Sequence, residues 1–287
     1  MIFMEKSFHV PILMILFNRS DTTARVFEAV RKARPEKLFI AADGPRTDRP
    51  EDAMKCREVR AFAQKVDWPC EVKTLFQEKN LGCGLGPVTA INWFFKNVPE
   101  GIILEDDCLP DPSFFPFCEE LLSKYRNDER VMHISGNNFQ NGKKRGRGSY
   151  YFSEYTHNWG WATWARAWKY NDFEMIAPEK RSHIWDKQWL MSVRKNKGLA
   201  ILPNVNLVSN IGTGENATHT SEAGKFMNLP AEKTAFPLIH PTPVRQNICA
   251  DFFTFHTVFK GNLAEFLVGL TSKHVPEIIK KKLKKIV

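Results

Sequence analysis

The sequence of 287 residues lacks any apolar run long enough to cross a membrane, and its cysteines are few and scattered. The six cysteines form no CxxC pair, which excludes a zinc site of that kind and a disulfide scaffold and predicts reduced thiols. The apolar run near the start has about ten residues, which is too short for a bilayer. No small-residue cleavage site follows it. We therefore expect a cytoplasmic protein that is not secreted.

Acidic residues are in the minority, but the excess of positive charge is uneven. The formal net charge is +9, and the stretch from Lys273 to the end holds six lysines against Glu277. The rest of the chain is therefore only mildly basic, which argues against a nucleic-acid partner. An apolar fraction of 43% is enough to fill a sizeable core.

The first half of the chain alternates apolar strands with amphipathic helices. This pattern predicts an α/β fold with a mainly parallel central sheet. After about residue 126 the segments become shorter and mixed, which predicts a smaller mixed region packed on the first without a linker. We expect a first half (1–130), a second half of the same domain (131–250) and a C-terminal helical region with a basic tail (251–287). The predicted strands are His9–Phe17, Lys37–Asp43, Glu71–Phe76 and Ile102–Leu104.

Three consecutive acids follow the fourth predicted strand, in GIILEDDCLP. Glu105, Asp106 and Asp107 would leave the sheet at the carboxyl end of a parallel strand, where open α/β sheets bind ligands. Arg19 and Asp43 follow two other strands and should lie at the same edge. An acidic cluster of this kind is either a solvated turn or a site for Mg²⁺ or Mn²⁺.

The order of several motifs resembles a known family. NRS, a strand ending in DG, EDD followed by PDPSFFPF, NWGWATWARAW and IWDKQW resemble the nucleotide-sugar-binding core of GT-A glycosyltransferases. The likeness is greatest to the β-1,2-N-acetylglucosaminyltransferase family that acts on mannose, and it covers roughly residues 9 to 220. It implies a GT-A type Rossmann-like sandwich that binds a UDP-sugar donor in its first half and the acceptor in its second.

The resemblance also implies roles for the residues at the predicted sheet edge. Asp107 would ligate Mn²⁺, or Mg²⁺, that bridges the donor diphosphate, and Asp106 and Glu105 would orient the ribose and the surroundings of the metal. Such an ion stabilises charge on a departing nucleoside diphosphate. Arg19 would contact the phosphates or hold the loop on the base side. Asp43 would accept a hydrogen bond from a uracil ring.

An inverting transfer needs a base that takes the proton of the acceptor hydroxyl. Asp186 in IWDKQW is our candidate, because the family has acids after this tryptophan. In another register the family base would fall on Gln188, and the protein would be altered or inactive. Glu215 and Glu154 are the other candidates.

The glycine-rich stretch NLGCGLG does not have the spacing of a P-loop or of a dinucleotide fingerprint. We interpret it as a structural turn before a helix, with Gly82, Gly84 and Gly86 as positions where backbone could approach the donor. Asn92 on that helix is a further candidate for a nucleoside contact.

The tryptophan-rich stretch has a structural and a functional interpretation. Trp161, Trp164 and Trp168 are spaced by three or four residues, which predicts core positions on one helix face. The resemblance places Gly160 and Trp161 beside the acceptor and the donor sugar. His219 lies in a polar, glycine-containing stretch and is a candidate for a lid over the diphosphate; a solvated loop histidine is the alternative.

The basic tail VPEIIKKKLKKIV has apolar residues at helical spacing between its lysines. This is typical of a helix attracted to an anionic membrane surface, here the inner face of the cell membrane; a solvated helix packed on the body is the alternative. The predicted function is an inverting glycosyltransferase that acts on a glycan or lipid-linked glycan acceptor. A glycoside hydrolase and a nucleic-acid-binding protein are the alternatives.

Overall fold

The computed structural model describes residues 8–172, 185–212, 224 and 226–272. The strands are, in chain order, β1 (Ile12–Leu16), β2 (Lys37–Ala42), β3 (Glu71–Phe76), β4 (Glu100–Glu105), β5 (Cys108–Pro110), β6 (Val131–Ser135), β7 (Tyr150–Ser153), β8 (Trp161–Trp164), β9 (Leu199–Pro203) and β10 (Val208–Asn210). The helices are α1 (Ser20–Ala33), α2 (Asp52–Arg60), α3 (Gly82–Phe95), α4 (Phe114–Tyr125), α5 (Ala165–Trp168), α6 (Trp185–Lys195), α7 (Ile248–Thr257) and α8 (Leu263–Ser272).

Eight of the described strands form one central sheet in the order β3-β2-β1-β4-β8-β6-β9-β7. The first four strands in this order, β3, β2, β1 and β4, are parallel to one another. β8 is antiparallel to both β4 and β6. The predicted α/β class with a mainly parallel central sheet is confirmed. β5 and β10 form a separate antiparallel pair beyond the end of β4. β8 joins the two predicted halves within one sheet, because it pairs with a strand of each.

The parallel strands form because their apolar side chains are buried on both faces. In β1 and β4 the residues from Ile12 to Met14 and from Ile102 to Leu104 are fully buried. One face of the sheet packs against α1, α2 and α4, and the other against α3, α5 and α6. Strands that are covered on both faces appear in the sequence as nearly continuous apolar runs. For this reason the first four parallel strands were predicted close to their observed positions.

At the start of α1, Arg19 occupies the N-cap position and no side chain caps the first amides. The carbonyl of Arg19 accepts from the hydroxyl of Thr23 at 2.6 Å and from its amide at 3.1 Å. The Arg19 side chain is thereby free to point away from the helix, toward the end of β4.

The prediction that the tryptophans share one helix face was wrong. Trp161 and Trp164 lie on β8, and only Ala165–Trp168 is helical. On a strand, residues three apart point to opposite faces. Trp161 is accordingly buried in the layer of α3 and α6, whereas Trp164 is buried in the layer of α4. The prediction that most of these side chains are core was correct.

The C-terminal part of the described chain is a hairpin of α7 and α8 that packs beside β7. Asn247 caps α7 by accepting from the amide of Ala250 at 3.0 Å, and Asn262 and Glu265 cap α8 reciprocally. All six cysteines are free thiols. No helix among the described residues is both long and apolar enough to pass through a bilayer. The basic tail lies outside the described residues.

Candidate functional site

The three acids of EDD stand at the carboxyl end of β4, beside the end of β1. Glu105 is the last residue of β4 and pairs with Ile15. The backbone amide of Phe17 donates to Asp106 Oδ2 at 3.2 Å. Arg19, from the loop after β1, forms ion pairs with both Asp106 and Asp107, at 3.0 Å between Nη1 and Asp107 Oδ2. The structure thus brings Arg19 and all three acids together.

Burial and mutual repulsion govern the charge state of this cluster. Burial, with the neighbouring charges of Asp107 and Asp106, raises the pKa of Glu105 to about 8. Burial also raises the pKa of Asp106 to about 6, although Arg19 opposes the shift. Burial alone would lower the pKa of Arg19, but the charges of Asp106 and Asp107 raise it. The single positive charge of Arg19 is shared between Asp106 and Asp107, so the cluster retains a demand for positive charge.

The raised pKa of Glu105 predicts that stability falls as the pH rises. In its folded state Glu105 holds its proton up to about pH 8, whereas its ordinary value is 4.5. Between these limits the folded state binds more protons, so the free energy of unfolding decreases with a slope of up to ~1.4 kcal/mol per pH unit for one proton. We expect Glu105→Gln to flatten this slope in urea unfolding between pH 5 and 8. An unchanged slope in the variant would contradict this assignment, and the exposed Glu71→Gln is the control.

Asp43 follows β2 and holds the start of α3. Its Oδ1 accepts from the amides of Gly44 and Leu81, both at 2.8 Å, and its Oδ2 accepts from the amide of Gly82 at 3.0 Å and from the side chain of Asn80 at 3.1 Å. Burial raises the pKa of Asp43, while these backbone amides lower it. The glycine-rich stretch therefore begins the helix itself, with its first amides bound by a side chain from another strand.

The four donors bear on the expected contact between Asp43 and a uracil ring. A carboxylate has about four lone-pair sites, and all four are used within the chain. A uracil N–H would have to displace one of these donors. The Asn80 amide is the simplest to displace, since it is a side chain and it also donates to the carbonyl of Gly44 at 2.9 Å. The role of Asp43 in base recognition stays a prediction.

Asp186 lies in the first turn of α6 and is exposed. Its charge contributes to the raised pKa of Glu105 and, after burial and Glu105, to that of the Cys83 thiol. Asp186 therefore lies within electrostatic reach of Glu105 and of Cys83 at the start of α3. Its Oδ1 accepts from the amide of Lys187 at 2.8 Å.

The other candidates for a base are placed differently. Gln188 is fully buried, and its amide makes no hydrogen bond with the described part of the chain. Glu154 is buried and lies 3.3 Å from Arg194 Nε, in an ion pair next to α7. Glu215 lies outside the described residues. Of the described candidates, Asp186 alone combines exposure with an electrostatic effect on the cluster.

Gly160 and Trp161 lie next to the end of β4. Trp161 pairs with Ile103 across the two strands, which brings Gly160 against Leu104, just before the acids. Trp161 is fully buried, its ring stacks on His133, and its indole N–H has no acceptor among the described residues. The structure thus places Gly160 beside the cluster and Trp161 beneath it, within the aromatic core.

Gly160 has a backbone conformation and surroundings that exclude a side chain. Its φ is +68°, and a Cβ would lie 2.8 Å from Val208 Cγ2. We expect Gly160→Ala to lower the free energy of unfolding by about 2 to 4 kcal/mol, through backbone strain and overlap. Gly142 is the matched control, because its φ is +75° and a Cβ there would meet nothing within 4 Å. Urea denaturation should show a clearly smaller loss for Gly142→Ala; equal losses would contradict the role of crowding.

One predicted residue is not brought to the cluster, and another lies outside the described residues. Asn92 is on the third turn of α3, about 15 Å along the helix from Gly82, and its Oδ1 accepts from the indole N–H of Trp168 at 2.7 Å. It therefore holds α3 to α5 rather than facing the end of β4. His219 lies outside the described residues.

Sequence analysis missed several neighbours of the site. Cys83 lies within the electrostatic reach of Glu105, Asp186 and Asp43. Gly212 packs directly on the pair of Arg19 and Asp107, and the amide of the preceding Ile211 donates to the carbonyl of Asp107 at 2.8 Å. The glycine in SNIG was a signal for such a close approach, but its partner could not be read from the sequence.

The donor set of this site fits a divalent cation that is shared with a substrate. Among the described residues, no group of three or more His, Cys, Asp or Glu side chains is arranged to hold a metal. Mg²⁺ and related ions in phosphate sites commonly use one or two carboxylates and complete their shell with phosphate and water. Asp107, half-buried at the edge of the cluster, could supply such a ligand. An all-protein metal cage is not present in the described chain.

Comparisons with known proteins give no family assignment. No protein-family model matches the sequence, and no curated protein matches it. Similar solved structures include a UDP-glucose pyrophosphorylase in complex with UDP-glucose, with 10% identity over 67% of this chain and 90% of that one and a TM-score of 0.39. HddC from Yersinia pseudotuberculosis has 8% identity over 60% and 86%, with a TM-score of 0.35.

The inositol-1-phosphate CTP transferase from T. maritima has 8% identity over 68% of this chain and 85% of that one, with a TM-score of 0.39. None of these three structures is described as a glycosyltransferase. Because the TM-scores are below 0.5, these structures say nothing about the activity of this chain. Any function must be inferred from the residues of the candidate site.

Proposed function

We propose that the protein is a metal-dependent inverting glycosyltransferase that moves a sugar, N-acetylglucosamine in the first instance, from a UDP-sugar to a glycan acceptor. The observation that carries this proposal is the cluster of Glu105, Asp106 and Asp107 at the carboxyl end of β4, only partly compensated by Arg19. A binding site with excess negative charge at this edge suits a cation and the diphosphate that comes with it.

Each residue has a task in the proposed reaction. Asp107 would hold Mn²⁺ or Mg²⁺, with Asp106 behind it, and the ion would supply positive charge to the leaving diphosphate. Arg19 would turn part of its guanidinium from the acids to the phosphates, which it can bind in a bidentate manner. Glu105 would lie by the ribose, and Asp43 and Asn80 would lie on the side of the base.

The transfer step requires one proton acceptor. The oxygen of an acceptor hydroxyl forms a bond to the anomeric carbon, and the bond from that carbon to the phosphate oxygen breaks. UDP leaves with the bonding electrons, and Asp186 takes the hydroxyl proton. Attack from the side opposite the leaving group inverts the anomeric configuration. We propose a lipid-linked glycan or another surface-polysaccharide precursor as the acceptor.

The alternative functions have less support. A glycoside hydrolase needs two carboxylates that face each other across a cleft, whereas the EDD acids are consecutive and two of them share one arginine. A nucleic-acid partner would need a basic surface along the ligand-binding edge, and that edge is acidic.

Calorimetric titration with UDP, with and without Mn²⁺, tests the proposal. We expect binding that requires the ion and that CDP and GDP do not reproduce. UDP-N-acetylglucosamine and other UDP-sugars would then be screened for transfer to glycan acceptors. Absence of nucleotide binding both with and without Mn²⁺ would overturn the proposal.

A further inference from the structure

The hairpin of α7 and α8 exposes large apolar side chains. Ile248 is 52% exposed, Leu263 55% and Phe259 40%, and Leu267 is exposed as well. Single exposed apolar residues are ordinary on a protein surface, but a group on one short element indicates a binding surface. We name residues 248–267 the C-terminal hairpin.

The hairpin contacts the body through the inner side of α7 and through Phe259, whose ring centroid lies 5.2 Å from that of Tyr155. The inner side of α7 is formed by Ala250, Asp251 and Thr254, which are fully buried or nearly so. Between the two helices, Phe266 contacts the rings of Phe252 and Phe255, with centroids 5.2 and 5.7 Å apart. Ile248 and Leu263 lie outside these contacts, with more than half of each side chain exposed.

A cationic loop borders the same helices. Residues 141–148 read NGKKRGRG, and we name this segment the basic loop. Lys143 Nζ lies 5.0 Å from the ring centroid of Phe253 on α7, and the guanidinium carbon of Arg145 lies 5.3 Å from it. The structure therefore places Lys143 and Arg145 over Phe253 of α7, and Lys144 and Arg147 belong to the same loop and are exposed.

The acidic residues of the hairpin do not neutralise the positive charges of the basic loop. Asp251 is fully buried and accepts from Ser153, from the amide of Glu154 and from Gln246. Glu265 is engaged in the cap of α8. Lys260, in the turn between the helices, is exposed and adds to the positive charge.

We propose that the C-terminal hairpin and the basic loop form one docking surface for an anionic lipid membrane. Apolar side chains that enter the boundary of the acyl chains, flanked by cations that contact lipid phosphates, are the two requirements for interfacial binding. In the sequence, the lysine-rich segment 273–287 follows directly after α8. This inference does not depend on the proposed sugar transfer.

Co-sedimentation of the full chain with vesicles tests the surface. The probes are vesicles of phosphatidylcholine alone and of phosphatidylcholine with phosphatidylglycerol. Each Lys or Arg near an anionic surface contributes about 1 kcal/mol to the free energy of membrane binding. We expect binding to the anionic vesicles only. Two double variants, Ile248→Glu with Leu263→Glu and Lys144→Glu with Arg147→Glu, should each weaken binding at least tenfold. Met54→Glu on α2 is the matched control, since Met54 is 54% exposed, and it should bind like the wild type.

Other outcomes would overturn the proposal. Equal binding to neutral vesicles would remove the role of charge, and unchanged binding of both double variants would remove the surface. Loss of all binding in a full-length chain with Lys280→Gln, Lys281→Gln and Lys282→Gln would assign membrane attachment to the tail alone. A change in oligomeric state of the Ile248→Glu, Leu263→Glu variant without vesicles would instead indicate a second copy of the chain as the occupant. Thermal unfolding should be unchanged in every variant.

Discussion

Replacing Asp107 with alanine is expected to abolish Mn²⁺-dependent binding of UDP and to lower the rate of sugar transfer by at least ~10³-fold, the scale of losing charge stabilisation on a leaving group. The reason lies in the small number of ligands. With no three-ligand group in the described chain, the proposed ion depends on Asp107 and on the substrate for most of its coordination. Calorimetry with UDP and Mn²⁺ measures the binding, and a transfer assay measures the rate.

The same variant is expected to remain folded. Asp107 is one of three acids that repel one another, and its removal leaves Arg19 paired with Asp106. The free energy of unfolding should therefore not decrease. Asp67→Ala is a control in which an exposed acid loses its arginine partner, Arg31, far from the cluster. UDP affinity within twofold of the wild type in Asp107→Ala would exclude Asp107 as the ligand.

Replacing Asp186 with asparagine is expected to reduce the transfer rate by about 10²- to 10⁴-fold while donor affinity changes little. An exposed carboxylate whose hydrogen bond within the chain is to the adjacent amide contributes little to folding. Removal of its charge takes away the proton acceptor and leaves the donor side intact. The measurement is kcat as a function of pH, with UDP affinity determined in parallel.

Glu154→Gln separates this role from that of the buried candidate. Because Glu154 pairs with Arg194 inside the protein, its variant should lose stability and retain its rate under conditions where it is folded. If Asp186→Asn retained the wild-type rate and Glu154→Gln lost it, the assignment of the base would be reversed.

The fold of the first half was readable because its strands are buried on both faces. The predicted strand Glu71–Phe76 matches β3, and Lys37–Asp43 exceeds β2 by one residue. In the second half, the spacing of Trp161 and Trp164 suits one face of a helix or the two faces of a strand. When both faces of a strand are buried, the side-chain pattern does not separate these cases. Trp161 lies on a strand because it pairs with Ile103, and this contact joins residues that are distant in the sequence.

The location of the candidate site at one edge of the sheet was predictable from the sequence, but the contacts within the site were not. EDD, NRS and DG were expected at the carboxyl ends of strands, and the structure has them there. That Arg19 bridges two of the acids, or that Asp43 accepts four hydrogen bonds, follows from tertiary distances that no motif contains. Asn92 was expected near the nucleoside because its helix begins at the site. The length of α3 separates Asn92 from the site. This length can be calculated from the sequence with the rise per residue of a helix.

The position of β4 between β1 and β8 has a consequence for how the protein must be made. Its apolar residues Ile102, Ile103 and Leu104 are fully buried, and one of its two neighbours is synthesised only after β6 and β7. Until β8 emerges, β4 is an open edge that can pair with another chain. A fragment that ends near residue 130 would carry all three acids and still be prone to aggregate. Residues 1–130 are therefore not expected to fold correctly by themselves, and grafting or truncation experiments must keep β8 with them.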